Sequence, residues 1–138
     1  MLKKRKFFWA GLLLCLLIAA ARGYYLYNKP HASAADEKVF VSITADSLLS
    51  QYQRDEHKSD QSFLGKVIEV RGRLSEIQHN GKSEIWILSG GTGGGGINCG
   101  LFAPGKDAAP ATGTEVTVKG KCTGFLLDVN LTDCVPVK

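Results

Sequence analysis

Hydrophobic positions come first as one unbroken block. Phe7 to Ala21 (FFWAGLLLCLLIAAA) carries no charge. A helix apolar on every side needs an apolar surround, and the 21 residues Phe7–Tyr27 supply the ~20 needed to cross ~30 Å of hydrocarbon. Further on, Leu48, Leu49 and Tyr52 share one face at helical spacing. They predict a helix with Thr44 as N-cap and Asp46 in its first turn. The charged run Gln53–Gln61 is expected to end that helix in solvent, and His57 lies in that run.

From Phe63 the period switches to two. Ile68, Val70 and Leu74 fall on one side of the first strand, and Glu69, Arg71 and Arg73 on the other. Further strands are expected at 84–88, 97–102, 115–122 and 128–135. His79-Asn80-Gly81-Lys82 reads as a hairpin turn, and Thr123–Leu126 as the turn between the last two strands. The expected fold is mainly β: a five-stranded Greek-key barrel of the OB type, one preceding α-helix, and an N-terminal transmembrane helix. An SH3-like barrel fits the same periodicity. The expected segments are 1–27 (signal anchor), 28–43 (tether) and 44–138 (OB-fold domain, barrel 63–138).

The loop GGTGGGG (90–96) contains a formal G-x-G-x-x-G. A dinucleotide site needs a helix opening directly after the glycines, so that free N–H groups meet the pyrophosphate. Here Ile97–Phe102 reads as a strand running into Ala103-Pro104-Gly105, and no Lys-Ser or Lys-Thr follows. The expectation is a loose hairpin connection.

Charge sharpens the division of the chain. It holds 17 basic and 13 acidic residues. Six of the basic ones (Lys3, Lys4, Arg5, Lys6, Arg22, Lys29) and none of the acidic ones fall in 1–30, leaving the rest near neutral. The basic start predicts a cytoplasmic N-terminus and an exported domain. Cys15 follows three leucines rather than a small residue, which argues against lipidation. Ala32-Ser33-Ala34 offers an A-x-A cleavage site, but far from the apolar block. An uncleaved single-pass anchor is the preferred reading, with Arg22 snorkelling and Tyr24, Tyr25 and Tyr27 at headgroup depth.

The stretches FLGKVIEVRGRLSEI, INCGLF and GTEVTVKGKCTGFLLDVNLTDC resemble the tRNA-anti-like family of exported bacterial OB-fold proteins, over residues 24–136. The resemblance implies an OB-fold and an envelope location; with the basic start and apolar block, the expectation is the bacterial cytoplasmic membrane with the domain in the periplasm or outside. It brings no catalytic residues. The residues themselves suggest none: His31, His57 and His79 are scattered, and Cys99, Cys122 and Cys134 lack the close ligand pairs of a zinc module. No enzyme activity, cofactor or metal is expected.

A binding module is the leading class, since OB barrels take ligands across strands 2 and 3. With Ile85 and Ile87 inward, Trp86 and Leu88 face a ligand; the alternative is that the preceding helix covers Trp86 and makes it core. Exposure of the indole favours binding, and burial favours a structural docking role. Arg71, Arg73, Lys119 and Lys121 are outward and complete the candidate face. Eight basic against seven acidic residues in 63–138 make a poor platform for single-stranded nucleic acid. A protein, peptide or glycan of the envelope is the expected partner, with docking in a membrane complex as the alternative.

Export also predicts one disulfide among the three domain cysteines. With the last turn at Thr123–Leu126, Cys122 and Cys134 lie about seven residues apart along the ladder, ~23 Å. Cys99–Cys134 is then the preferred pair and Cys122–Cys134 the alternative. Strict alternation turns Cys134 outward, so the preferred pair needs a bulge near Asp133.

Overall fold

The computed structural model describes residues 2–28, 33–105 and 108–138, which divide into two units, 1–31 and 32–138. The first unit is one helix, α1 (Leu2–Tyr27). Its segment Lys4–Tyr27 is long and apolar enough to cross a membrane, and no part of it is buried against protein.

The second unit contains β1 (Val41–Thr44), α2 (Ala45–Arg54), α3 (Glu56–Phe63), β2 (Val67–Asn80), β3 (Ser83–Ser89), β4 (Gly96–Leu101), β5 (Glu115–Leu126) and β6 (Asp128–Val137). Five strands close a barrel in the order β2–β3–β4–β6–β5, with β5 pairing back onto β2. Closure depends on the length of β2. Its first part, Val67–Arg73, pairs with β5, and its second part, Arg73–Asn80, pairs with β3. A register shift between Leu74 and Glu76 bends the strand from one partner toward the other. Within the barrel β4 and β6 run parallel, and the other pairs are antiparallel. This is the OB-fold, the first of the two barrels that the two-residue periodicity allows.

The inward face of β2 follows the expected alternation: Ile68, Val70 and Leu74 are buried, while Arg71 and Arg73 are exposed. Leu88, Ile97, Val118, Val129 and Leu131 complete the layer between strands. Leu48, Leu49 and Tyr52 of α2 close the barrel, and the Tyr52 ring stacks on Phe125 at 5.5 Å between centroids. Burying each such side chain contributes roughly 1.5–3 kcal/mol.

Four local expectations are corrected. The charged run does not end the helical region. Asp55, at φ −157, breaks it, and its side chain accepts from the Lys58 N–H at 3.0 Å to start α3. The expected tether is partly folded: β1 pairs in parallel with β2, Ser33 and Ala34 are buried, and the Ala34 N–H donates to the Asp133 carbonyl at 3.2 Å. The glycine loop is docked rather than loose. A side chain at Gly90 would collide with Leu49, Gln53 Nε2 donates to the Gly94 carbonyl at 3.1 Å, and the Gly96 N–H donates to Asp128 Oδ1 at 2.6 Å. Finally, the last hairpin turns at Leu127 (φ 71), with Leu126 opposite Asp128, so β5 runs through Thr123–Leu126.

Candidate ligand face

In an OB barrel the ligand face is the exterior of the second and third barrel strands, here β3 and β4. Ser83 and Ser89 share their parity on β3 with Ile85 and Ile87, and this set points outward. Glu84, Trp86 and Leu88 point inward. Ile87 pairs with Glu76 of β2 on one side and with Asn98 of β4 on the other, and Asn98 pairs with Asn130 of β6. The result is a continuous outward row, Glu76–Ile87–Asn98–Asn130. Beside it run Gln78, Ile85 and Gly100. The amides are cross-linked: Asn98 Nδ2 donates to Asn130 Oδ1 at 3.3 Å. Gln78 Nε2 likewise donates to Glu76 Oε1 at 3.1 Å, which orders the edge of the face.

Trp86 and Leu88 are therefore not on the candidate face. Trp86 is 4% exposed, and its indole Nε1 donates to Glu84 Oε1 at 2.6 Å. A tryptophan buried in a barrel needs an acceptor for its N–H, and the buried Glu84 two residues away supplies it. The parity was ambiguous because both sides of 84–88 are apolar. The flanking serines, both outward, were the usable signal, and they mark Ile85 and Ile87 as the outward pair.

The four cations are exterior but lie elsewhere, along the β2–β5 ladder rather than on β3 and β4. Arg71 Nε pairs with Glu115 Oε1 at 2.9 Å, and both side chains are solvent-exposed. Lys119 Nζ donates to the Ala35 carbonyl at 3.1 Å, tying down the segment ahead of β1. Arg73 is opposite Glu115, Lys119 is opposite Glu69, and Lys121 is opposite Val67. Arg71 and Arg73 line a groove of about 350 Å³ together with Asp46 and Glu115, so its two cations face two carboxylates. The arrangement offers an anion no net field.

On the outward side of β3 and β4, no aromatic and no cation is present among the described residues. Phe102, just past β4, is exposed, but it lines a separate cleft with Glu84, Trp86 and Pro136. Among the described residues no three His, Cys, Asp or Glu side chains are grouped to hold a metal. The cysteines are present as thiols. Cys122 Sγ lies 3.3 Å from the Tyr52 hydroxyl, and burial followed by this hydrogen bond pushes the Tyr52 hydroxyl above its ordinary pKa. Interaction with Cys99 first, and burial second, hold the Cys134 thiol well above the ordinary cysteine value.

Comparison with solved structures gives the same fold. A proposed nucleic acid-binding lipoprotein from Klebsiella pneumoniae subsp. pneumoniae MGH 78578 is similar at a TM-score of 0.57 and 19% identity, covering 70% of this chain and 91% of that one. A proposed aspartyl-tRNA synthetase from Leishmania major Friedlin is similar at a TM-score of 0.47 and 17% identity, covering 86% of this chain and 25% of that one. Comparison with curated proteins gives no match. The tRNA_anti-like family model matches residues 1–135, nearly the whole chain. The chain belongs to the tRNA_anti-like family.

Proposed function

We propose that this chain is a membrane-anchored OB-fold docking module that uses the outward face of β3, β4 and β6 to hold a protein segment in the cell envelope. The observation that carries the reading is the row Ile87–Asn98–Asn130: apolar surface beside oriented amides, with neither stacking ring nor cation. Single-stranded nucleic acid is held by aromatic stacking and a basic groove. With Trp86 inside the barrel, a base has no ring on this face to stack on. Sugar rings lose the same platform, which narrows the partner from protein, peptide or glycan to protein or peptide. Burial of Trp86 also favours docking over capture of a small ligand.

The anchor reading rests on α1 and on the domain's first residues. Ser33 and Ala34 of the A-x-A sequence are buried in the folded unit; Ala32 lies outside the described residues. Cleavage after Ala34 would strip away side chains that the barrel uses. In this reading the N-terminus is cytoplasmic and the barrel stands outside.

The test is native electrophoresis of the full chain, gently extracted from its own membranes, as wild type and as Ile87→Arg. The reading predicts a complex larger than the single chain, lost in Ile87→Arg while the variant keeps its thermal stability. Equal migration of the two proteins would contradict it.

A further inference from the structure

The register of the parallel pair β4–β6 slips once. Cys99 is level with Leu131, but Leu101 is level with Cys134, so three steps along β6 match two along β4. The extra step contains Asp133, at φ 54, a left-handed conformation that non-glycine residues adopt only at a cost. The bulge reverses the alternation. Asn130 and Thr132 lie on the outer side, yet Cys134 turns into the core. Two backbone hydrogen bonds hold the chain around it. The Ala34 N–H donates to the Asp133 carbonyl at 3.2 Å, and the Phe102 N–H donates to the Cys134 carbonyl at 2.9 Å.

Next to the bulge, where β3 begins and β4 ends, the barrel opens into a cleft of about 260 Å³. Its walls are mainly apolar. Leu101 and Phe102 come from the end of β4, Val135 and Pro136 from the end of β6, and Trp86 from β3. Phe102 is fixed by its backbone yet is 40% exposed, so its ring forms the rim.

One acidic side chain stands in this cleft. Glu84 lines it, and that side chain is 10% exposed. Its Oε1 accepts from the Trp86 indole at 2.6 Å, while Oε2 is 3.7 Å from His79 Nδ1, beyond hydrogen-bonding distance. A carboxylate has about four acceptor positions, and the indole fills one. Having lost most of its water, such a group gains strongly from a cation that brings its own donors. The apolar walls add a second requirement, an aliphatic stem behind that charge. An anion is repelled here, and an uncharged chain leaves the carboxylate uncompensated.

We propose that this cleft binds a primary alkylammonium group, brought by a lysine side chain of the segment docked on β3 and β4. The ammonium donates to Glu84, and the methylenes of its stem lie against Phe102 and Pro136. Gly100 is beside Ile85 on the outward face, and the cleft begins at the next residue, Leu101, so the two surfaces are continuous. The choice of an ammonium rests on the cleft alone; that a protein supplies it rests on the docking reading.

The test separates the two. The full chain in detergent, labelled with nitrogen-15, is titrated at neutral pH with Nα-acetyl-lysine methylamide. The indole N–H resonances of Trp9, in α1, and Trp86 are followed by NMR, with Trp9→Phe to assign them. The expected result is a saturable shift of the Trp86 resonance in the millimolar range, with Trp9 unmoved. Glu84→Gln, which keeps an acceptor for the indole, should weaken binding at least about tenfold, and Phe102→Ala about two- to fivefold. The same probe acetylated on Nε has lost its charge and should produce no shift. No shift with the lysine probe, an equal shift with the acetylated one, or unchanged affinity in Glu84→Gln overturns the proposal. A Trp86 shift in a chain that forms no larger complex would uphold the ammonium site and overturn its protein source.

Discussion

Inside the barrel, the Trp86 indole N–H donates to Glu84 Oε1 at 2.6 Å, and His79 Nδ1 stands 3.7 Å from the other carboxyl oxygen. This contact holds the largest ring of β3 away from solvent, and so decides which side of the strand a partner meets. Glu84→Ala leaves a buried N–H without an acceptor, a loss of about 1–3 kcal/mol. For a domain of this size that lowers the melting temperature by roughly 4–8 °C per kcal/mol. Glu84→Gln keeps an acceptor and should recover most of it. Thermal denaturation followed by far-UV circular dichroism checks both; an unchanged Glu84→Ala would mean that the indole is satisfied elsewhere.

Two buried groups set a dependence on alkaline pH. Cys134 is raised above its unfolded value of 9.0, chiefly by its interaction with Cys99, and Tyr52 above its unfolded value of 10.0, chiefly by burial. In both the folded state keeps the proton longer. Their stabilisation is present in full below those unfolded values and is lost as pH rises past them. Urea denaturation of the reduced chain should give flat stability up to about pH 9 and then a fall of about 1.4 kcal/mol per pH unit for each group. Cys134→Ala should delay the onset to about pH 10. A rise in stability above pH 9 would contradict this.

Much of the fold was legible in the sequence, wherever polar and apolar residues alternate cleanly. Arg71 and Arg73 against Val70 and Leu74 determine the sides of β2, and the bulge at Asp133 follows from the conflict between Asn130, Thr132 and an inward Cys134. Parity failed on β3, where Ile85, Trp86, Ile87 and Leu88 are all apolar and periodicity has nothing to distinguish. Thr123-Gly124-Phe125 carries a turn signal, yet the last turn falls on Leu127, a residue with none. Gly124, at φ 118, instead sits at a register shift within β5. The candidate site was less legible than the fold. Its amide row exists only through the pairing of β4 with β6, a contact between segments about thirty residues apart.

If α1 is retained as an anchor, intact-mass analysis of the membrane fraction should return a chain that still contains residues 1–27. A mature chain beginning at Ala35 would contradict this. It would also predict a weakened barrel, since Ser33, Ala34 and the Ala34 hydrogen bond to Asp133 would be gone.

The central claim is that this barrel has the OB topology without the chemistry of a nucleic-acid platform. Titration of labelled single-stranded DNA and RNA with the full chain in detergent, at ~0.15 M salt and followed by fluorescence anisotropy, addresses it most directly. The account predicts no saturable binding into the high micromolar range, and no change on substituting Arg71 or Arg73 with alanine. Micromolar affinity that falls steeply with salt and is lost in Arg71→Ala would contradict it.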